Sequence, residues 1–385
     1  MSTSGAYRGD RPSVVVVGAG QLARMTAAPA AALDIELRVL AATPSDCATA
    51  VIPRSVVGDW DDDAVVAAAA DGADVITFDH ELVDSAIVAR WEAAGHTVHP
   101  GSATLAIAAD KAAQRAAMVA AAIPVPDHGL ARTVEEVAGF GERFGWPLVV
   151  KAARGGYDGR GVWWLAGAEE AAPVLAGLPD GVPLVVEPVL DLAAELAVQV
   201  ARTPDGRTVT YPAVRTYQRD GICHAVVAPS GLPDEVEQRA RQLAEQVAEA
   251  VDAVGMLAVE FFWVGGEVLV NELAPRAHNS GHYSIEACDT SQFENHLRSV
   301  LGLPLGSPAL RVPAAAMVNV LGGPEAPDPA QALRAALAHP EAKIHLYGKD
   351  HRPGRKLGHV TVCGDDPETV LARARAAAAA LVDGA

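Results

Sequence analysis

Glu260 and Glu272 stand twelve residues apart, within two apolar runs (258–264 and 268–272) that flank Gly265-Gly266. Such runs around a glycine pair read as a β-hairpin. If Gly265-Gly266-Glu267 is a three-residue loop, Val264 pairs with Val268 and the two glutamates face each other. Like charges directly opposite destabilise a sheet. A divalent cation turns that cost into a site, and Mg²⁺, with Mn²⁺ as a substitute, takes one or two carboxylates plus substrate phosphates. A two-residue loop instead puts the glutamates on opposite faces.

Phosphates have their own candidates. Lys111 and Lys151 come from separate elements and can hold two phosphates as point charges. Gly155-Gly156-Tyr157-Asp158-Gly159-Arg160-Gly161 follows Lys151, with four glycines in seven residues. Glycines allow backbone N–H groups to approach phosphate oxygens closely. A plain turn has no need of Tyr157, Asp158 and Arg160. Glu187 ends the run Leu184-Val185-Val186 and precedes Pro188; backbone groups left unpaired there suit an adenine edge. Glu195 opens the next strand, where its carboxylate can take ribose hydroxyls.

Asn271-Glu272-Leu273-Ala274-Pro275-Arg276-Ala277-His278-Asn279 is too polar and irregular for a core. Arg276 can neutralise charge on a transferred phosphoryl group, and His278 with Asn279 can orient a small oxyanion. In the segment 347–359, Lys349, Arg352, Arg355 and Lys356 meet one acid, Asp350. Glycine and proline punctuate it, so it reads as a loop suited to a phosphate monoester.

The elements that must position these groups follow from periodicity. Val14-Val15-Val16-Val17 is a buried parallel strand feeding a turn and a helix. Strands over 36–40, 75–78 and 97–99 complete an α/β unit. A helix over 105–122 leads to a proline-broken linker. A helix over Val134–Phe144 and strands over 148–152, 162–165, 184–187 and 196–201 follow. A long amphipathic helix covers 234–254, and a capped one starts at Asp366-Pro367-Glu368. Expected units are a disordered tail 1–12, a doubly wound parallel-sheet domain 13–110, a lobe 111–203 and a second lobe with the acceptor region 204–385.

Gly18-Ala19-Gly20-Gln21-Leu22-Ala23 matches a dinucleotide turn, but no acid follows Glu36 at the end of the second strand to bind a ribose. A nicotinamide oxidoreductase is thus disfavoured, although the helix N-terminus there still suits a phosphate. At a net charge of −18 the chain repels polyanions, which argues against nucleic-acid or anionic-membrane binding. Its four cysteines, far apart and without C-x-x-C, suggest reduced thiols in a cytoplasmic protein. No apolar run is long enough for a membrane span.

Four blocks in order resemble the N5-carboxyaminoimidazole ribonucleotide synthetase family of ATP-grasp carboxylases. They are Gly18-x-Gly20-Gln21-Leu22-x-Arg24-Met25, the 155–161 loop, 271–282 and Arg352-Pro353-Gly354-Arg355-Lys356-x-Gly358-His359. The resemblance implies an ATP-grasp fold (α/β with α+β lobes), usually a homodimer. It implies that ATP, bicarbonate and 5-aminoimidazole ribonucleotide give the N5-carbamate, ADP and phosphate. Lys111, Lys151, Gly156, Gly159, Gly161, Glu187, Pro188, Val189, Leu190, Glu195, Gln218, Asn271 and Glu272 fall on nucleotide positions, and Glu260 with Glu272 on magnesium ligands. Tyr157, Asp158, Arg160, Arg276, His278 and Asn279 match the bicarbonate site. Gly20, Gln21, Leu22, Asp79, Glu81, Lys349, Arg352, Arg355 and Lys356 match the ribonucleotide site. Asp79 stands where an acid pair usually begins with glutamate, Gln218 where many relatives carry histidine, and Ala274 where other ATP-grasp enzymes carry asparagine. The rivals are another ATP-grasp ligase, or a formate-using transformylase, and a non-enzymatic nucleotide sensor.

Overall fold

A computed structural model describes residues 11–156, 161–219 and 221–384. Most of the expected tail, and Tyr157, Asp158, Gly159 and Arg160, lie outside the described residues.

β1 (Ser13–Val17) is buried along its whole length, as an inner parallel strand must be. It pairs in parallel with β2 (Glu36–Ala41) and β4 (Val75–Phe78), and β2 with β3 (Arg54–Val57), giving the order β3-β2-β1-β4. The expected strand at 97–99 is only one bridge, Val98 to Ile76, because Pro100 has no N–H to continue a ladder. One sheet face packs under α1 (Gln21–Ala32) together with Leu297, Val300 and Leu301 from far along the chain. The other packs under α2 (Asp63–Ala70) and α3 (Ser85–Ala93), through Val66, Val88 and Trp91.

The expected helix over 105–122 is two helices, α4 (Ser102–Ala108) and α5 (Lys111–Ala120). The break is chemical: the Asp110 carboxylate accepts from the N–H groups of Ala112 and Ala113 and caps α5. A small antiparallel sheet follows, β5 (Gly129–Ala131), β6 (Leu148–Ala152), β7 (Val162–Leu165) and β8 (Leu184–Pro188), in the order β5-β8-β6-β7. The capping-box helix α6 (Val134–Phe144) and α7 (Ala171–Ala176) cover one of its faces.

The rest is a nine-stranded sheet. It holds β9 (Ala194–Arg202), β10 (Thr208–Thr210), β11 (Val214–Arg219), β12 (Ile222–Ala228), β13 (Gly255–Val264), β14 (Glu267–Ala274), β15 (Ala314–Leu321), β16 (Lys343–Leu346) and β17 (Lys356–Gly364). β9, inside the expected 111–203 unit, bonds to this sheet. Helix α8 (Asp234–Ala250) buries Leu196, Val198, Leu257 and Val259. It stops short of 254 because Asp252 turns out of the helix at φ +47°. α9 (Ser284–Ala287) and α10 (Gln292–Val300) follow β14, and α10 is the source of Leu297 and Val300 on the first sheet. After β15, α11 (Pro329–Leu337) and α12 (Pro367–Asp383) close the far end, with α12 lying on β15 and β17. The basic segment expected as a loop is one only over 347–355, since Lys356 to His359 are in β17.

Ligands of open parallel sheets sit outside the strand ends where the order reverses, here between β1 and β4. The Asp79 carboxylate already fills the N-terminus of α1, accepting from Gly20 N at 2.8 Å and Ala23 N at 2.6 Å. A Cβ at residue 20 would lie 2.2 Å from Asp79 Oδ2, so the second glycine of the motif serves this carboxylate and not a pyrophosphate. Gly20→Ala should therefore displace the cap and lower stability by about 1 kcal/mol. A urea midpoint equal to that of the parent protein would show that the glycine serves something else.

Candidate active site

The hairpin turns on two residues, not three. Gly265 and Gly266 both have positive φ, +58° and +86°, the geometry of a tight two-residue turn. Val264 consequently pairs with Glu267 and Phe261 with Val270. The ladder then shifts: Glu260 pairs with Glu272, leaving Asn271 unmatched in a β-bulge. The expected facing of the glutamates thus arises from a bulge and not from the loop length. Without the bulge, Glu272 would join Val268 and Val270 under α8, and Leu273 would turn to the other face.

β9 alternates in step. Leu196, Val198 and Val200 go under α8, while Glu195, Ala197 and Gln199 share the face of Glu260. Burial, with Glu272 opposite and Glu195 nearby, pushes the Glu260 carboxyl up to about 8. Burial would raise Glu272 as well, but Lys111 Nζ, 2.6 Å from its Oε2, holds it down. The Glu272 side chain keeps 42% of its exposure, so it remains open to a ligand. Burial also raises the Glu195 carboxyl. No cluster of three or more metal-ligating side chains occurs among the described residues. Two facing carboxylates are instead the donor set that suits a cation arriving with phosphates.

The bulge frees Asn271 for other work. Its carbonyl accepts from Arg115 Nη1 at 2.6 Å, and its side-chain oxygen from Lys151 Nζ at 3.1 Å. Both cations also reach Glu187, Arg115 Nη2 at 2.6 Å and Lys151 Nζ at 2.7 Å. Glu187 therefore sits in a buried ion triad. Burial pulls Lys151 downward, and Glu187 stays ionised because Lys151 and Arg115 overcome its desolvation. Arg115 was not expected from the sequence. Its signal is there: four residues after Lys111, it makes a basic stripe on an alanine-rich helix. Pro188 ends β8, and Val189 and Leu190 run outside the ladder toward β9. Gly156 and Gly161 border residues 157–160, which lie outside the described residues, and Gln218 lies at an irregularity of β11.

Arg276 grips Glu81 with Nε and Nη2, joining the loop after β4 to the strap after β14. Burial would raise the Glu81 carboxyl, but Arg276 holds it below the usual range. The Gln292 side chain clamps the backbone of His278, accepting from its N–H at 2.9 Å and donating to its carbonyl at 2.8 Å. The ring is oriented from behind. Ser280 N donates to Nδ1 at 3.3 Å, and a backbone N–H can only donate. Ser280 Oγ, which accepts from Gln199 Nε2 at 2.8 Å, is 2.8 Å from the same nitrogen and gives it a second donor. Burial, with Arg276 and Lys356, pushes the His278 pKa down to about 3. The neutral ring then carries its proton on Nε2, 3.8 Å from Glu260 Oε1, and offers an N–H to an oxyanion. Gln199, Ser280 and Gln292 carry no charge, so nothing in their residue types singles them out.

The ribonucleotide candidates divide. Lys349 Nζ donates to Gln21 Oε1 at 2.5 Å, bringing the basic loop to the crevice beside Asp79 and buried Leu22. Arg355 Nη1 donates to the Asp350 carbonyl at 3.0 Å within its own loop, and Arg352 is exposed. Lys356 lies nearer the carboxylates, contributing to the environment of Glu260.

Three family models match in chain order: the ribonucleotide synthetase preATP-grasp domain over 12–109, the ATP-grasp domain over 116–293 and the phosphoribosylaminoimidazole carboxylase C-terminal domain over 315–373. The N5-carboxyaminoimidazole ribonucleotide synthase of Mycobacterium tuberculosis is 45% identical over 375 residues, covering 95% of this chain and 87% of its own. The chain belongs to the N5-carboxyaminoimidazole ribonucleotide synthase family. The family's Corynebacterium ammoniagenes enzyme is 38% identical, over 97% of this chain and 93% of its own. An Aspergillus clavatus N5-carboxyaminoimidazole synthase, solved with ADP and 5-aminoimidazole ribonucleotide, superposes with a TM-score of 0.88 at 32% identity, over 97% and 99% of the two chains. An N5-carboxyaminoimidazole ribonucleotide synthetase in complex with ADP gives 0.88 at 31%, over 95% and 97%. The family's ATP-grasp match spans β8, the β13–β14 hairpin and the strap.

Removing Glu187 alone strands two buried cations. Glu187→Ala should lower stability by about 3–5 kcal/mol, and Glu187→Gln by less. Urea unfolding measures both, and a loss well under 1 kcal/mol in the alanine variant would mean that the triad is compensated elsewhere.

Proposed function

We propose that this protein uses ATP and bicarbonate to carboxylate the exocyclic amine of 5-aminoimidazole ribonucleotide in purine synthesis, releasing N5-carboxyaminoimidazole ribonucleotide, ADP and phosphate. The observation that carries the reading is the Glu260–Glu272 pair, ringed by Lys111, Lys151 and Arg115 and opening toward Arg276 and His278. Each of these cations leans on a carboxylate, and nucleotide phosphates would take over those contacts. Glu260 and Glu272 would hold Mg²⁺ or Mn²⁺, which supplies neutralising charge to the phosphates when bound.

A bicarbonate oxygen attacks the γ-phosphorus, its bond to the β–γ bridging oxygen breaks, and ADP leaves. Arg276 faces the charge that develops, while the His278 Nε2–H and the Asn279 amide orient the carboxyl oxygens. Carboxyphosphate then releases phosphate and CO₂, which the amine captures with loss of a proton. Tyr157, Asp158 and Arg160 on the glycine loop belong to the closure that keeps water from this intermediate. Lys349 and Arg355, with Gln21, hold the acceptor phosphate at the crevice of the parallel sheet. The protein works in the cytoplasm as a homodimer on small molecules, binding neither nucleic acid nor membrane. No helix among the described residues is long and apolar enough to cross a membrane.

ADP release should require both bicarbonate and the aminoimidazole nucleotide for full rate. Release that ignores both would point to another ATP-grasp reaction. Glu272→Gln should fold and lose turnover at any Mg²⁺ concentration; near-normal rates in saturating Mg²⁺ would remove Glu272 from the metal site.

Lys349→Ala and Arg355→Ala should raise KM for the aminoimidazole nucleotide roughly ten- to hundred-fold, the worth of one charged hydrogen bond, and leave KM for ATP alone. Steady-state kinetics with each substrate varied decides this. An equal rise in both constants, or none, would place the phosphate elsewhere.

A further inference from the structure

Asn279 and Asn319 join their side-chain amides face to face. Asn279 Nδ2 donates to Asn319 Oδ1 at 2.9 Å, and Asn319 Nδ2 donates to Asn279 Oδ1 at 2.8 Å. Asn319 Nδ2 also donates to the Cys223 carbonyl at 2.7 Å. Both residues are buried, at 7% and 6% exposure. A carbonyl can only accept, so the Cys223 oxygen determines which end of the Asn319 amide is nitrogen. That end determines Asn279 in turn. Reversing Asn279 alone would set nitrogen against nitrogen and oxygen against oxygen in a buried site, where an unmade bond is expensive.

We infer that Asn319 is a positioning residue for the carboxylation: it sets the polarity of the Asn279 amide, and so where Asn279 keeps its spare N–H and spare lone pair for substrate. The inference rests on the reading of Asn279 as part of the bicarbonate site. Asn319 is well placed for the role. On β15, Val318 and Val320 pack in the layer of α12, whereas Met317 packs on the opposite side with Tyr283. Asn319 shares the Met317 side and so reaches the strap after β14. It also stands opposite His359 in β17, close to where that strand begins at Lys356. The amide pair thus ties the strand that follows the basic loop to the residues expected to hold the carboxyl group.

Asn319→Asp keeps the side chain's shape and its acceptor, removes both donated bonds and sets a carboxylate against the Cys223 carbonyl. We expect kcat/KM for bicarbonate to fall roughly ten- to hundred-fold with KM for ATP unchanged. If Asn319 acts through Asn279, Asn279→Ala combined with Asn319→Asp should be no slower than Asn279→Ala alone. Losses that multiply in the double variant, or an equal effect on ATP and bicarbonate, overturn the inference. A normal Asn319→Asp beside an impaired Asn279→Ala overturns it while leaving the site reading in place. A normal Asn279→Ala overturns both. Should Asn319→Asp not fold, Asn319→Ser takes its place in the same assays; if neither folds, the pair is a folding element and the inference falls.

Discussion

Between the pairs Phe261–Val270 and Glu260–Glu272 the β13–β14 ladder admits one unmatched residue, Asn271, and the site is arranged around it. The extra residue turns Glu272 from the face under α8 to the face of Glu260. It also releases a carbonyl and a side-chain oxygen, which Arg115 and Lys151 take up. Those cations in turn hold Glu187 from the small sheet. One departure from regular pairing therefore links the acidic pair, the basic stripe of α5 and the small lobe. Bulges next to functional sites re-aim side chains in this way.

The charges of the site satisfy one another. Lys111 rests on Glu272, Lys151 and Arg115 on Glu187, Arg276 on Glu81. Buried charges without such partners would shift their ionisation or destabilise the fold. Under the proposed function, binding would be an exchange of partners, with phosphate oxygens replacing carboxylates around cations that keep their places. An exchange of that kind discriminates by geometry as well as by charge, because a guanidinium fork and an ammonium accept different replacements.

How much of this the sequence disclosed depended on charge. Glu260, Glu272, Lys111, Lys151, Arg276 and the basic segment stood out because ionisable groups in apolar strands or glycine-rich loops need a reason to be there. The facing of the glutamates was reached through the wrong loop length, since a bulge leaves no local mark: Asn271 looks like any polar strand residue. Arg115 hid in an alanine-rich helix whose break at Asp110 was itself missed. Gln199, Ser280, Gln292 and Asn319 are neutral amides and a hydroxyl in buried segments. Their roles exist through partners tens of positions away. The sequence pattern puts Asp79 at the crevice, but nothing in that pattern shows that its carboxylate also caps α1 there. The parallel sheet, by contrast, followed directly from Val14-Val15-Val16-Val17 and the alternation after it.

The first sheet is finished by a helix that is not its own. One of its faces packs against Leu297, Val300 and Leu301 as well as α1. On the ribosome those residues emerge roughly two hundred positions after β4, a delay of about ten to forty seconds at ordinary elongation rates. Throughout that interval the first sheet carries an apolar surface that α1 covers only in part. The N-terminal unit is thus a domain by topology but not by autonomy. Cut out by itself, it would carry the same uncovered surface permanently, and its natural remedy would be a second molecule like itself.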